Sequence, residues 1–180
     1  MHTITPLISA EELQGICKRL WQQLSIDYEG KNPLLIGILN GCNPFLSDLK
    51  KNITIPVDTT YMKVRSYVGT VSSGNIQVEQ DVDIPVKWRE VIIVEDIVDT
   101  GMTMDKVCSL LQDRQVKSLK IVSLLDKPDR RIVKIIADYI GKEILDLFVV
   151  GYGMDYEGLY RELLYVGILN IEASEEWTAS

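Results

Sequence analysis

The chain has 180 residues, of which 46% are hydrophobic and 25% charged, the profile of one soluble globular domain. A domain of this length buries about 70% of the surface its unfolded chain exposes, so its core needs no disulfide or metal staple. With 19 Lys+Arg against 26 Asp+Glu the formal net charge is -7, which argues against a general nucleic-acid binder, whose footprint is a basic face, but leaves room for a phosphorylated ligand at a local site.

Ser9-Ala10-Glu11-Glu12 has the form of a capping box. Leu13, Ile16, Cys17, Leu20, Trp21 and Leu24 follow at helical spacing and predict an amphipathic helix, broken over 27–33. Leu34–Leu39 is a short continuous apolar run, the pattern of a strand buried on both faces. Asn40-Gly41-Cys42-Asn43-Pro44 must turn, and a short helix is expected around Phe45–Lys50. Val57–Val64 reads as a strand. Residues 66–75 contain Gly69, Ser72, Ser73 and Gly74 with few apolar anchors, the composition of a mobile loop. Ile76–Val82 alternates apolar and polar residues, as a half-exposed strand does.

Val91–Val94 carries the strongest buried-strand signal. A loop with Gly101 follows, then a helix bearing Met104, Val107, Cys108 and Leu111. Leu119–Leu125 is the next strand, broken by Asp126-Lys127-Pro128. Ile135–Ile140 and Phe148–Val150 read as later, shorter strands, and 172–180 as a polar, peripheral tail in which Trp177 could dock. Strands alternating with helices predict an α/β fold with a mainly parallel sheet. No repeat, low-complexity tract or linker divides the chain, so one domain is expected over 1–180.

Cys17, Cys42 and Cys108 form no CxxC pair and no zinc set, and read as reduced thiols used as small hydrophobes. The one histidine, His2, sits at the N-terminus, where a disordered or merely surface residue is expected. A Ser-His-Asp or Cys-His centre is thereby disfavoured, and base chemistry falls to a carboxylate, Lys or Tyr. No apolar run reaches the ~18 residues of a membrane span. Residues 1–20 lack the basic start and apolar middle of a signal peptide, so a cytoplasmic location and no membrane partner are expected.

In parallel sheets ligands bind beyond the carboxyl ends of the strands. Val91-Ile-Ile-Val-Glu-Asp-Ile-Val-Asp-Thr-Gly-Met-Thr103 lies at such an end. Glu95 and Asp96 are adjacent acids expected directly after the buried strand, where they need water, a partner or a cation. Thr100, Gly101 and Thr103 lead into a helix whose free amides suit a phosphate. Gly101 permits close backbone approach. Acids for a metal or sugar hydroxyls thus stand beside donors for a phosphate. Separately, the acids fit a solvated loop tip and Thr-Gly-x-Thr a plain helix cap.

The whole ordered string resembles the phosphoribosyl-diphosphate (PRPP) loop of the type I phosphoribosyltransferases. Tyr61–Tyr67, Leu125-Asp-Lys-Pro128, Phe148–Asp155 and Tyr160-Arg161 resemble the hypoxanthine-guanine branch in order and spacing, over about Leu34–Leu169. The resemblance implies a central sheet flanked by helices, with a small hood and a flexible lid. It implies Mg²⁺-dependent transfer of 5-phosphoribose from PRPP to N9 of hypoxanthine or guanine, giving IMP or GMP and diphosphate, by a homodimer or homotetramer. The ribose carbon becomes oxocarbenium-like, as in other glycosyl transfers.

The resemblance also assigns roles. Glu95 and Asp96 would hold the ribose hydroxyls and, directly or through water, Mg²⁺. Ile97 and Val98 lie within the PRPP loop. Asp99 resembles the general base or acid at purine N7; an N-cap is its ordinary alternative. Asp99, Thr100, Gly101, Met102 and Thr103 would cradle the 5′-phosphate, Met102 through its backbone NH. Lys127 would donate to the purine O6, since an ammonium has donors only; a surface turn Lys is the alternative. Phe148 would stack on the base, against the reading of a buried strand Phe, and Val149 would read the base edge through its backbone. Asp155 resembles a ligand of a second Mg²⁺, and backbone carbonyls near Val149 and Asp155 would read the exocyclic amine of guanine. Arg161 has the planar fork that suits diphosphate, or a partner in Glu157 or Glu162. Asn40 and Gly41 align with the diphosphate loop, where the family often has Lys or Arg in place of Asn40 and a cis peptide at the position of Leu39-Asn40. Ser66 and Tyr67 resemble the pair that closes the lid over 66–75. The competing function is a PRPP- or nucleotide-sensing regulator of the same fold that binds nucleic acid. An acidic receiver like that of response regulators would share the acids but leave Thr100-Gly101-x-Thr103 and Arg161 unexplained.

Overall fold

Ser9 starts the first helix: its Oγ accepts a hydrogen bond from the Glu12 amide at 3.1 Å in the computed structural model, which describes residues 2–66 and 76–171. Helix α1 (Ala10–Asp27) buries Leu13, Ile16, Cys17, Leu20, Trp21 and Leu24, the whole apolar face read from the spacing.

Six strands build the main sheet: β2 (Leu34–Leu39), β3 (Asp58–Ser66), β4 (Ile76–Gln80), β5 (Glu90–Val98), β6 (Ser118–Asp126) and β7 (Tyr139–Glu143). Their order is β4-β3-β2-β5-β6-β7. All neighbours run parallel except β3 and β4. The continuous apolar runs serve two faces at once, because successive side chains point to opposite sides. Leu35, Ile92 and Val94 pack with α1 and with α2 (Asn43–Lys51). Leu34, Ile36, Val91 and Ile93 pack with α3 (Met102–Asp113), through its Met104, Val107, Cys108 and Leu111. The expected α/β architecture with a mainly parallel sheet is present.

A second, three-stranded antiparallel sheet forms the hood, in the order β1 (His2–Ile8), β9 (Val166–Ile171), β8 (Val149–Val150). Neither β1 nor β9 is predicted from the sequence. In β1 only Ile8 is buried, and the register shifts between Pro6 and Ile8, so no clean alternation marks it. His2 is an exposed residue of this sheet: it pairs with Ile171, and its Nδ1 lies 3.2 Å from the Tyr160 hydroxyl.

Two further boundaries differ. The strand expected at Ile135–Ile140 begins only at Tyr139. Asp138 instead accepts from the Ile121 amide at 2.9 Å and from Lys120 at 2.7 Å, and Ile136 turns out to solvent at 79% exposure. The strand read as ending at Val94 runs on to Val98, since β6 pairs with it as far as Val98 and Asp126. Glu95 and Asp96 thus lie inside β5 and not after it. All three cysteines are buried and free. No described helix is long and apolar enough to cross a membrane. Trp177, Tyr67 and the rest of the expected lid lie outside the described residues; Ser66 is the last residue of β3.

Candidate active site

Strands β2, β5 and β6 are parallel neighbours, so the segments leaving their carboxyl ends meet. After β2 comes the cis peptide Leu39-Asn40, then Gly41. After β5 come Asp99, Thr100 and Gly101, and after β6 comes Lys127. Three of the expected clusters are thereby assembled by topology alone.

Asp96 accepts from the Ile97 amide at 2.9 Å and lies hard against Gly41. A Cβ on Gly41 would stand 1.8 Å from Asp96 Oδ2. The neighbouring Glu95 has an Oε2 that is inaccessible and without a hydrogen-bond partner. Burial first, and the adjacent Asp96 charge second, push its carboxyl well above the usual glutamate range. An orphaned acid oxygen beside a second carboxylate is a site wanting donors: sugar hydroxyls or a cation.

Gly101 takes a left-handed conformation (φ +82°) as N-cap of α3, with no side-chain cap. Asp99 is therefore not the cap of that helix. The Met102 amide points to Thr100 Oγ1 at 3.4 Å. Glu95, Val98, Asp99, Thr100, Gly101, Thr103 and Met104 line a pocket of about 70 Å³ at the start of α3, where a helix N-terminus favours an anion. Val98 is buried and Ile97 packs on the core, so neither offers a polar side chain; the Val98 carbonyl accepts from the Lys127 amide at 3.0 Å.

Lys127 is 6% exposed, unlike a surface turn lysine. Its Nζ lies 3.7 Å from Asp99 Oδ2. Two arginines not singled out from the sequence complete this corner. Arg130 Nε donates to Asp99 Oδ1 at 3.0 Å, and Arg131 bonds both the Asp99 carbonyl and the Asp126 carboxylate. The Arg130-Arg131 pair directly after the Lys-Pro turn was the available signal.

Phe148 is not a buried strand residue. It stands just ahead of β8, 53% exposed, with the edge of Tyr156 at 5.6 Å. Val149 follows within β8, its side chain buried. Arg161 pairs with Asp155 at 2.6 Å, and not with Glu157 or Glu162; its other terminal nitrogen donates to the Gly153 carbonyl at 2.6 Å. Asp155 Oδ2 also accepts from the Gly158 amide at 2.7 Å. Gly153 in turn presses on the Gly41 carbonyl, 2.1 Å from where its Cβ would be. This contact joins the Asp155–Arg161 turn to the Gly41–Asp96 corner. Among the described residues no three His, Cys, Asp or Glu side chains come together around a metal position, so Asp155 is not assembled with Glu95 and Asp96 into one cage.

A buried polar cluster beneath the loop also escaped the sequence reading. Tyr152 donates to Asp48 Oδ2 at 2.5 Å, joined by Gln14 at 2.8 Å, while Lys51 reaches Oδ1 at 2.5 Å. Burial alone would raise the Asp48 carboxyl; the bonds from Lys51, Tyr152 and Gln14 outweigh it and hold the group below the usual aspartate value. Burial and the bond to Asp48 push the Tyr152 phenol far up. The cluster ties helix α2, and so the loop before it, to the 151–154 segment.

The site therefore offers an anion pocket, an adjacent acid pair, a carboxylate between two cations, and an exposed aromatic face. The family described as the phosphoribosyl transferase domain matches residues 9–157. A hypoxanthine-guanine phosphoribosyltransferase of Staphylococcus aureus is 48% identical over 167 residues, which is 92% of this chain and 93% of that protein. A bifunctional TilS/HprT protein of Listeria innocua is 46% identical over 94% of this chain, which spans only 26% of that longer relative. The crystal structure of a hypoxanthine phosphoribosyltransferase from Staphylococcus aureus superposes with a TM-score of 0.89 at 48% identity, covering 92% of this chain and 90% of that one. With these matches the chain belongs to the phosphoribosyltransferase family, in its hypoxanthine-guanine branch.

Proposed function

We propose that the protein transfers 5-phosphoribose from PRPP to N9 of a 6-oxopurine, hypoxanthine or guanine, releasing diphosphate and forming IMP or GMP. One observation carries this reading: the buried Lys127 and the Asp99 carboxylate lie side by side, 3.7 Å apart, at the rim of the anion pocket that opens α3. A base whose O6 faces an ammonium places its N7 edge toward a neighbouring carboxylate.

In this reading the amides of Asp99 to Thr103 bind the 5′-phosphate, with Met102 acting through its backbone. Asp99 exchanges a proton at N7 as the bond at N9 forms. Lys127 donates to O6 and disfavours the amino group of adenine. Phe148 stacks on the base, Val149 meets its edge through the backbone, and Arg161 draws the diphosphate toward the Asn40-Gly41 turn. Ser66 and Tyr67 would close over the reacting centre and exclude water. Glu95 and Asp96 fit a magnesium site, because Mg²⁺ is commonly held by one or two carboxylates plus substrate phosphates and water. Asp155 would serve a second ion once Arg161 turns to the diphosphate. Bound Mg²⁺ supplies neutralisation of the diphosphate charge.

The test is a panel of hypoxanthine, guanine, xanthine, adenine and uracil with PRPP, with and without Mg²⁺. Nucleotide formation from hypoxanthine only with Mg²⁺, and adenine as the poorest purine, is the expected result; no product from any base would sink the reading. A cytoplasmic location and a homodimer or homotetramer belong to the same proposal, the latter checked by sedimentation. No observation favours the nucleic-acid-binding alternative, and the net charge of -7 opposes it.

A further inference from the structure

Strand β1 brings the start of the chain to the hood, and its first described residue lands among aromatic rings. The His2 ring lies 5.2 Å from Tyr156 at 85°, and Tyr156 lies 5.6 Å from Phe148 at 86°. His2 Nδ1 is 3.2 Å from the Tyr160 hydroxyl. The three rings form a row of edge-to-face contacts, an arrangement the ring quadrupole favours. The row ends at Phe148, which is half exposed and precedes a strand of only two residues. Tyr156 is the aromatic that touches it among the described residues, and His2 in turn touches Tyr156.

We infer that His2 is a positioning residue for the purine, acting through Tyr156 to hold the Phe148 ring at the angle that stacks on the base. This rests on the assignment of Phe148 to the base site under the proposed function. His2 contacts Tyr156 and Tyr160, so in this reading its effect falls mainly on the base.

The experiment compares wild type, His2→Ala, His2→Phe, Tyr156→Ala and the double variant His2→Ala with Tyr156→Ala, all in the full chain. Hypoxanthine and PRPP are titrated separately with Mg²⁺, and melting temperatures are recorded. His2→Ala should raise the hypoxanthine KM by about three- to tenfold, the size of one lost edge-to-face contact, with kcat and the PRPP KM within about twofold. His2→Phe keeps the ring, loses the Tyr160 partner, and should restore the wild-type KM. His2→Ala should add nothing once Tyr156 is alanine. An unchanged hypoxanthine KM in His2→Ala overturns the inference while leaving the proposed function intact. So does a joint loss of kcat and both KM values with a lower melting temperature, which marks β1 as a structural strand only. An inactive wild type overturns both readings.

Discussion

Arg130 donates to the carboxylate of Asp99 at 3.0 Å, from the turn that follows Lys127. Both side chains are substantially exposed, and Arg130 also reaches Asp146 at 3.4 Å. An exposed pair of this kind is screened by water and costs little to open. Asp99 is thus parked, with a ready route to an arriving base. Asp99→Asn should lower turnover by roughly 10²–10⁴ if the carboxylate moves a proton, whereas Arg130→Ala should lower it by no more than about tenfold and leave the melting temperature nearly unchanged. Single-turnover kinetics with hypoxanthine separate the two. Wild-type turnover in Asp99→Asn would remove the proton-transfer role.

Lys127 is buried where a lysine rarely sits without purpose. In the proposed function, its loss removes a charged donor from the base site. Lys127→Met should reduce kcat/KM for hypoxanthine by about 10- to 100-fold, the worth of a hydrogen bond to a charged group, and should leave adenine as poor as before. Equal losses for both bases would mean that the side chain supports the fold of the turn and does not read O6.

Gly41→Ala tests geometry without touching charge. The new methyl group would collide with the Asp96 carboxylate at 1.8 Å and with its carbon at 2.6 Å. That short side chain must swing away, so PRPP binding should fail while the melting temperature moves little. Calorimetry with PRPP and Mg²⁺, run beside thermal unfolding, checks both halves. Loss of folding with loss of binding would show that the collision spreads to the Gly153 contact on the Gly41 carbonyl.

The buried Asp48 makes a pH prediction. Its folded carboxyl lies below the ordinary aspartate value of 3.8, so the unfolded chain binds the proton more readily. The stability it contributes is fully present above pH 3.8 and is lost as the pH falls through the lowered folded value. Asp48→Asn should therefore be less stable than wild type at pH 7, by about 1–3 kcal/mol for the disrupted buried bonds, with the gap narrowing in acid. Urea unfolding at pH 7 and pH 3 measures it; a gap that widens in acid would contradict the assignment.

What the sequence made legible follows from where each signal arises. The α1 face, the β2 run and the buried Val91–Val94 start of β5 are written in single segments, and the structure has them where the sequence predicts. The PRPP-loop string is likewise contiguous. The family resemblance implied a hood, but its strands β1 and β9 left no pattern, because β1 buries almost nothing and its partner lies at the far end of the described chain. The position of Glu95 and Asp96 within β5 depended on how far β6 would pair, which no pattern in β5 states. Arg130 on Asp99 and Tyr152 on Asp48 are contacts between distant loops and helices, and such pairs leave no periodicity behind.

The pairing of β1 with β9 also sets an order in time. On a growing chain β2, β5 and β6 can meet well before β9 exists, while β1, made first, has no partner until the last described strand appears. Long-range pairings of this kind form late, since a long loop must close before any contact rewards it. Pulsed hydrogen exchange during refolding should protect the amides of the central sheet before those of β1 and β9. The anion pocket would then be born early and the aromatic wall last, so a ribosome-bound chain would recognise phosphate before it could tell one base from another.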